Sequence, residues 1–301
     1  MTALLRAELR RATSRRLVRA FALLSIVGAL AVGIITFTQT STADGAAITA
    51  KVHAQHEAEA TARHDLLQCL YQGSAHGQDP GRVDCQERLV PAVHDPRLYR
   101  DRIQDLLKGT GGILALVAWV IGASLMGAEQ QSRSITTTLT FAPRRTQVFA
   151  TKAATTLVVV GAWAMATLAA VLAALLPAAI LHAGPALGEP GNLAIAGVMA
   201  RGVALCLITA MMGFSLASIG RNTAAALGVG FGYIIVIENI LGSSVAGWRR
   251  WLLLGNVIVF VSGKTSDVIG RSPVGAATFL VAVAGALLLG SAALFRARDV
   301  A

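Results

Sequence analysis

The sequence predicts an all-α membrane protein. It would have six transmembrane helices, a cytoplasmic amphipathic helix at its N-terminal end and a small helical extracellular cap between spans one and two. Three observations predict this. Of 301 residues, 54% are hydrophobic and only 14% charged, with a mean hydropathy of +0.62, whereas a soluble domain carries nearer a quarter charged residues. The apolar residues gather in blocks of about 20, the length that crosses a bilayer core as a helix. Basic residues collect in alternate connecting segments, as the inner loops of membrane proteins do. Disorder is excluded, because the chain is apolar and poor in charge rather than the reverse.

Residues 1–19 carry Leu4, Leu5, Leu9 and Ala12 at spacings of three to four with arginines between them. That pattern suits an amphipathic helix along the cytoplasmic face, its cations toward anionic headgroups. A cleaved signal peptide fits less well, since the apolar run that follows exceeds the usual hydrophobic region and its basic prelude is long. Span one is assigned to residues 20–40, with its apolar run at Ala20–Phe37. Residues 41–108 form the only sizeable polar region, an extracellular cap. Its Ala-, Glu-, His- and Gln-rich first half favours helix. Asp79-Pro80-Gly81 marks a turn. Asp95-Pro96 pairs an N-cap with a first-turn proline, opening a helix through Leu98, Ile103, Leu106 and Leu107 that continues into span two after the loosening at Gly109–Gly112. Span two is 109–127, followed by a cytoplasmic loop at 128–152. Spans three, four and five are 153–183, 193–219 and 223–241. Residues 242–272 form an outer segment in which Trp251–Val261 is apolar but too short to cross, and so interfacial or re-entrant. Span six is 274–295, and residues 296–301 form a cytoplasmic tail.

Six spans put both termini on one side. With that side cytoplasmic, the inner segments hold 13 basic residues against three acidic ones, Glu8, Glu129 and Asp299. The outer segments hold 12 of each sign, but eight of those basic residues lie in the long 41–108 loop. Long loops translocate largely regardless of charge, so the fair comparison is 13 inside against four outside. The termini are cytoplasmic on this reading, and the protein is a multi-pass protein of the cell membrane. The net charge of +10 therefore reflects topology. Aromatic content of 5% is too sparse for a nucleic-acid stacking platform, and no nucleic-acid partner is expected.

Cys69 and Cys85 flank the turn in the outer segment, where disulfides persist. A bond between them would stabilise the cap by about 3 kcal/mol in the chain-entropy model. Cys206, inside span four, reads as an inert core thiol. Five of the six histidines, His53, His56, His64, His76 and His94, also lie in the cap. A metal or acid-pH sensor is one reading of them and a merely polar helical cap the other. Their spacing fits no closed zinc site, and no metal ligand set is assigned.

Catalytic chemistry is not expected. Residues Asn256–Thr265, ending Gly263-Lys264-Thr265, look like a strand feeding a phosphate loop. A Walker A loop needs glycine five residues before Gly263, and that position is Ile258. No HExxH, GxSxG or CxxC motif is present, and the spans hold no paired carboxylates. Two charges do lie within the apolar blocks, Arg201 in span four and Glu238 in span five. Counting along the helices puts Arg201 about 12 Å and Glu238 about 5 Å below the outer surface. Intramembrane charges face the bundle or a wet cavity and find partners. A direct Arg201–Glu238 pair closing an outer gate is one reading; independent snorkelling to the headgroups is the other.

The segment after span two runs Gly127-Ala128-Glu129, then Ser/Thr and Leu positions, then Pro143-Arg144-Arg145 and Lys152. This resembles the permease subunits of ABC-2 type transporters. The tail Leu294-Phe295-Arg296-Ala297-Arg298-Asp299 is similar to the basic stop after their last span. Glu238-Asn239 followed by Trp251–Asn256 resembles their outer re-entrant region, with Leu254 standing where many members have proline. The resemblance implies a non-enzymatic permease without a bound cofactor, with ATP and Mg held by a separate pair of cytoplasmic ATPase subunits. A second permease subunit, identical or not, would complete the unit within the membrane lipids.

A permease without its own nucleotide site needs a cytoplasmic lever for an ATPase to push, and residues 129–150 are the only inner loop long enough. Glu129 and Arg133, four apart, can pair on one helix face. Thr137 and Phe141 continue that element, Pro143 ends it, and Arg144 and Arg145 can meet phosphates or an acidic partner. The same cations also enforce topology. Arg201, Glu238 and Asn239 are the candidate outer gate. The expected activity is export of an amphipathic drug, antibiotic or peptide, with export of an envelope lipid or glycolipid as the alternative. A non-transporting six-span sensor or scaffold is the rival class, and it predicts no ATPase partner. A proton- or sodium-driven transporter ranks below both, since it calls for midplane acids between repeated halves.

Overall fold

A computed structural model of the chain describes residues 2–40, 45–75, 98, 100–132, 144–182, 192–238, 240, 250–266 and 269–297. The described residues are overwhelmingly helical and include no strand, only an isolated bridge between Ser266 and Arg271. They form α1 (Thr2–Ser14), α2 (Arg16–Gln39), α3 (Gly45–Ala75), α4 (Arg100–Gln131) and α5 (Arg145–Ala174). These are followed by α6 (Leu176–Leu181), α7 (Asn192–Gly220), α8 (Thr223–Gly232), a π-helical segment (Tyr233–Glu238), α9 (Leu253–Ser262) and α10 (Pro273–Ala297). Two compact units divide the chain: Met1–Ile34 with Arg100–Leu176 and Glu189–Ala301, and Ile35–Tyr99 with Pro177–Gly188.

Among the described residues, five helical stretches are long and apolar enough to cross a membrane: Arg16–Gln39, Asp101–Gln131, Arg145–Leu181, Ala194–Gly220 and Pro273–Ala297. These match five of the six expected spans. Of the sixth, expected at 223–241, the described residues form the 10 residues of α8, six of the π segment and the helical Ile240; residues 239 and 241 lie outside the described residues. Its sequence explains the irregularity. Gly228, Gly230 and Gly232 weaken α8, and the β-branched run Ile234-Ile235-Val236-Ile237 crowds the turn that follows, where a wider π turn relieves it. Gly109–Gly112, read as a loosening, lies within the unbroken α4. Within the expected inner loop 128–152, α4 runs on through Gln131 and α5 starts at Arg145, while residues 133–143 lie outside the described residues.

The centre of the larger unit is the α4–α7 pair, built on glycine. A Cβ at Gly122 would overlap the Ala210 carbonyl, and one at Gly213 the Trp119 carbonyl. Gly111 and Gly202 meet across the same seam. Such small residues let membrane helices approach backbone to backbone. Thr209 Oγ1 seals the contact by donating to Ala115 O at 2.9 Å. Around this pair, Phe149 of α5 sits 5.4 Å from Phe214 of α7 and 5.5 Å from Phe295 of α10, both between ring centroids. Aromatic pairs at such spacing add attraction beyond their area. A second cluster joins Leu205 and Met212 to Val259 and Phe260 of α9 and Leu280 of α10.

Between α7 and α8 the chain turns at Arg221, whose φ of 53° is left-handed, and Asn222 then caps α8. The Asn222 side chain accepts from Ala224 N at 2.7 Å and from Gln131 Nε2, at the end of α4, at 2.6 Å. N-capping of this kind satisfies an amide that the helix itself leaves open.

The smaller unit contains α3, a 31-residue helix, and a junction on His182. The His182 ring stacks on Phe37 at 4.8 Å, its Nδ1 lies 2.8 Å from Thr40 Oγ1, and its carbonyl accepts from Leu98 N at 2.8 Å. The expected turn at 77–81, the Asp95-Pro96 helix start and Cys85 lie outside the described residues, so the Cys69–Cys85 bond does too.

Candidate functional site

Two places in the larger unit concentrate charge in buried surroundings. The first joins α1, α4 and α5. On α1, Glu8 and Ala12 repeat at four residues and are buried, while Arg10 and Arg11 are exposed. The helix therefore presents a carboxylate inward. On α5, Lys152 lies two turns after the start and its side chain is 5% exposed. It donates to Glu8 Oε1 at 3.1 Å and to Glu129 Oε2. Glu129, near the end of α4 and 8% exposed in its side chain, also accepts from Arg15. Arg15 sits at the break between α1 and α2 and donates to Ser124 O at 3.1 Å. Glu8, Lys152, Glu129 and Arg15 thus link three helices, with the exposed Arg11 3.8 Å from Glu8 at the rim and Thr155, Thr156 and Phe214 lining the small cavity beside them. Buried charges persist only when so paired.

Sequence reasoning placed Glu129 on the lever, facing Arg133. In the structure Glu129 is buried and holds Arg15 and Lys152; Arg133, Thr137, Phe141 and Pro143 lie outside the described residues, and a Glu129–Arg133 pair with them. Arg144 is the exposed residue before α5. Arg145 Nη1 donates to Arg296 O, in the last turn of α10, at 3.4 Å. The parts that sequence reasoning missed are Glu8, Arg15 and Lys152 as one unit. Their available signal was Glu8, the single acid in a strongly basic segment, in register with buried Ala12.

The second place surrounds α9. This 10-residue helix has no side-chain cap of its own. Its first amides are satisfied from the π segment: Leu253 N donates to Tyr233 Oη at 3.2 Å, and Leu254 N to Glu238 Oε1 at 2.7 Å. Leu254 stands where the resemblance leads one to expect proline, and its N–H, which proline lacks, is the group Glu238 holds. Asn256 is fully buried and fully used. Its Nδ2 donates to Arg250 O at 3.0 Å and Leu252 O at 2.7 Å, and its Oδ1 accepts from Arg271 at 2.8 Å. Arg271 also lies over the Phe279 ring at 4.8 Å from its centroid and the Trp251 ring at 5.7 Å.

The other end of α9 is Gly263, with φ +70°, whose N donates to Val259 O at 3.1 Å. The Arg201 guanidinium of α7 lies against it: a Cβ on Gly263 would fall 2.7 Å from Arg201 Cζ. The described residues include no ion pair between Arg201 and Glu238, which corrects the direct pairing weighed from the sequence. The two charges serve opposite ends of one half-helix, the carboxylate at its N-terminus and the guanidinium at its C-terminus, as its dipole favours. Asn239 lies outside the described residues. The stretch read as strand-like ahead of Gly263-Lys264-Thr265 is helix, so the phosphate-loop likeness has no strand to stand on. Among the described residues no group of three or more His, Cys, Asp or Glu side chains could hold a metal ion.

No curated protein matches the chain closely enough to count as a relative. A family model described as ABC-2 family transporter protein matches residues 2–300. With that match over nearly its whole length, and with helices able to span a membrane, the chain belongs to the ABC-2 family of membrane transporter proteins.

Proposed function

We propose that this chain is the permease subunit of an ATP-driven exporter. It works with a pair of cytoplasmic ATPase subunits that hold ATP and Mg, and with a second permease subunit. Its termini are cytoplasmic and it lies in the cell membrane, as the basic asymmetry of its connecting segments supports. The substrate is amphipathic, a drug, antibiotic or peptide, and leaves by the outer leaflet. Cys69 and Cys85 form a disulfide in the outer cap.

The observation that carries this reading is the four-charge network. Glu129 and Lys152 bracket the 132–144 segment and bind each other, and through them the segment's roots are tied to α1. A push on that segment from below would move three helices together rather than bend a loop. Arg133, Thr137, Phe141, Pro143, Arg144 and Arg145 supply the docking surface, and Arg201, Glu238 and Asn239 belong to the outer gate around α9.

Mild-detergent purification from native membranes, with mass spectrometry of what stays bound, tests this. The expected result is a stoichiometric partner carrying a Walker A motif. In that complex, Pro143→Ala or Arg144→Glu should lower ATP turnover by roughly tenfold, a middling value for coupling between sites. A clean oligomer with no ATPase would overturn the reading and leave a membrane sensor.

A further inference from the structure

Among the described residues Arg201 is a buried charge without a partner. Its Nε is buried without a hydrogen-bond acceptor, and no ion pair or hydrogen bond engages its guanidinium among the described residues. The acid expected to meet it, Glu238, is committed to Leu254 N at the far end of α9. Arg201 lies nine residues into α7, so about 13 Å along the helix axis. Phe214, beside the four-charge network, is about 20 Å further along the same helix. An arginine at such depth is costly unless an anion or acceptor meets it.

The surroundings select for an anion. Gly263 places bare backbone against the guanidinium, and only a glycine in that left-handed conformation leaves the room. Lys264 follows directly, exposed, its own N–H turned back to Ser262 Oγ at 3.3 Å and its ammonium unpaired among the described residues. The guanidinium fork matches a phosphate or carboxylate in two-point contact, and the ammonium adds a point charge beside it.

We propose that Arg201, Gly263 and Lys264 form a binding site for the anionic headgroup, phosphate or carboxylate, of a membrane amphiphile. Arg201 holds the headgroup at the end of α9 and Lys264 neutralises its outer side. This rests on the reading of the chain as a permease and narrows its cargo to anionic amphiphiles, or else gives it a resident anionic lipid.

The test uses the full chain, purified with whatever ATPase it retains, in vesicles of phosphatidylcholine with or without phosphatidylglycerol. Native mass spectrometry then reads the lipid kept. Phosphatidylglycerol should be retained over phosphatidylcholine, and Arg201→Gln should reduce that preference roughly tenfold, as loss of a charge-assisted contact does. Lys264→Gln, at an exposed position that leaves folding intact, should reduce it about threefold. Arg201→Lys should keep part of the preference. Displacement of the lipid by millimolar inorganic phosphate would assign the site to the phosphate group itself; retention against phosphate would assign it to the whole lipid. Equal retention of both lipids by wild type, or a preference untouched by both Arg201→Gln and Lys264→Gln, would overturn the proposal. A retained ATPase with no lipid preference would sink this site alone, and a lipid preference without an ATPase would sink the exporter reading alone.

Discussion

The two charged regions of this protein solve the same problem in opposite ways. Where α1, α4 and α5 meet, Glu8, Lys152, Glu129 and Arg15 satisfy one another side chain to side chain across three helices. Around α9, Glu238 and Arg201 address the two ends of a single half-helix and never meet. The first arrangement pairs its buried charges and holds helices together. The second leaves one guanidinium with open valences. The proposed transport cycle would use both: a rigid joint where force enters, and a site whose charge is met by something that comes and goes.

Breaking the paired network should have the largest effect. Lys152→Ala removes the cation that bridges two buried carboxylates, leaving Glu129 to Arg15 and Glu8 to the exposed Arg11, and loss of one partner from a buried pair costs about 3–5 kcal/mol. Thermal unfolding in detergent should show it as the greatest fall in Tm of any single change considered. A Tm within a degree or two of wild type would mean that water already reaches the network. Next comes Gly122→Ala in the α4–α7 seam, where the new methyl meets the Ala210 carbonyl. Overpacking of this kind costs about 1–3 kcal/mol, again read by unfolding. The smallest effect belongs to the open region: Glu238→Ala removes one acceptor from the start of α9, a loss of about 1 kcal/mol on the scale of helix caps. Amide exchange should then quicken at Leu254 while Lys152 and its partners stay protected. Equal loosening at both places would erase the contrast between them.

Much of the fold was legible because a bilayer-spanning helix announces itself by composition. Blocks of about 20 apolar residues located five spans to within a few residues at most ends. The π segment was not legible, since Thr223–Leu241 is as apolar as the other spans and only its glycines and β-branched run hint at the irregularity. The burial of Glu129 was not legible for a similar reason. Helix periodicity relates neighbours four apart on one chain segment, and the partners that hold Glu129, Arg15 and Lys152, are supplied by other helices. Arg201 and Glu238 stood out in the sequence as charges within apolar blocks, but the intervening α9, whose ends they serve, was readable only as a short apolar stretch.

The glycine seam between α4 and α7 has a consequence for how any cycle of this protein must be described. Helices that touch through Gly122, Gly213 and Gly111 have no side-chain cushion to compress, so they cannot slide or tilt past one another without collision. They constitute a chassis. Whatever swings during transport swings relative to that chassis, and α2, with Leu23, Leu24 and Ile34 more than half exposed, is the least buried of the span-length helices among the described residues.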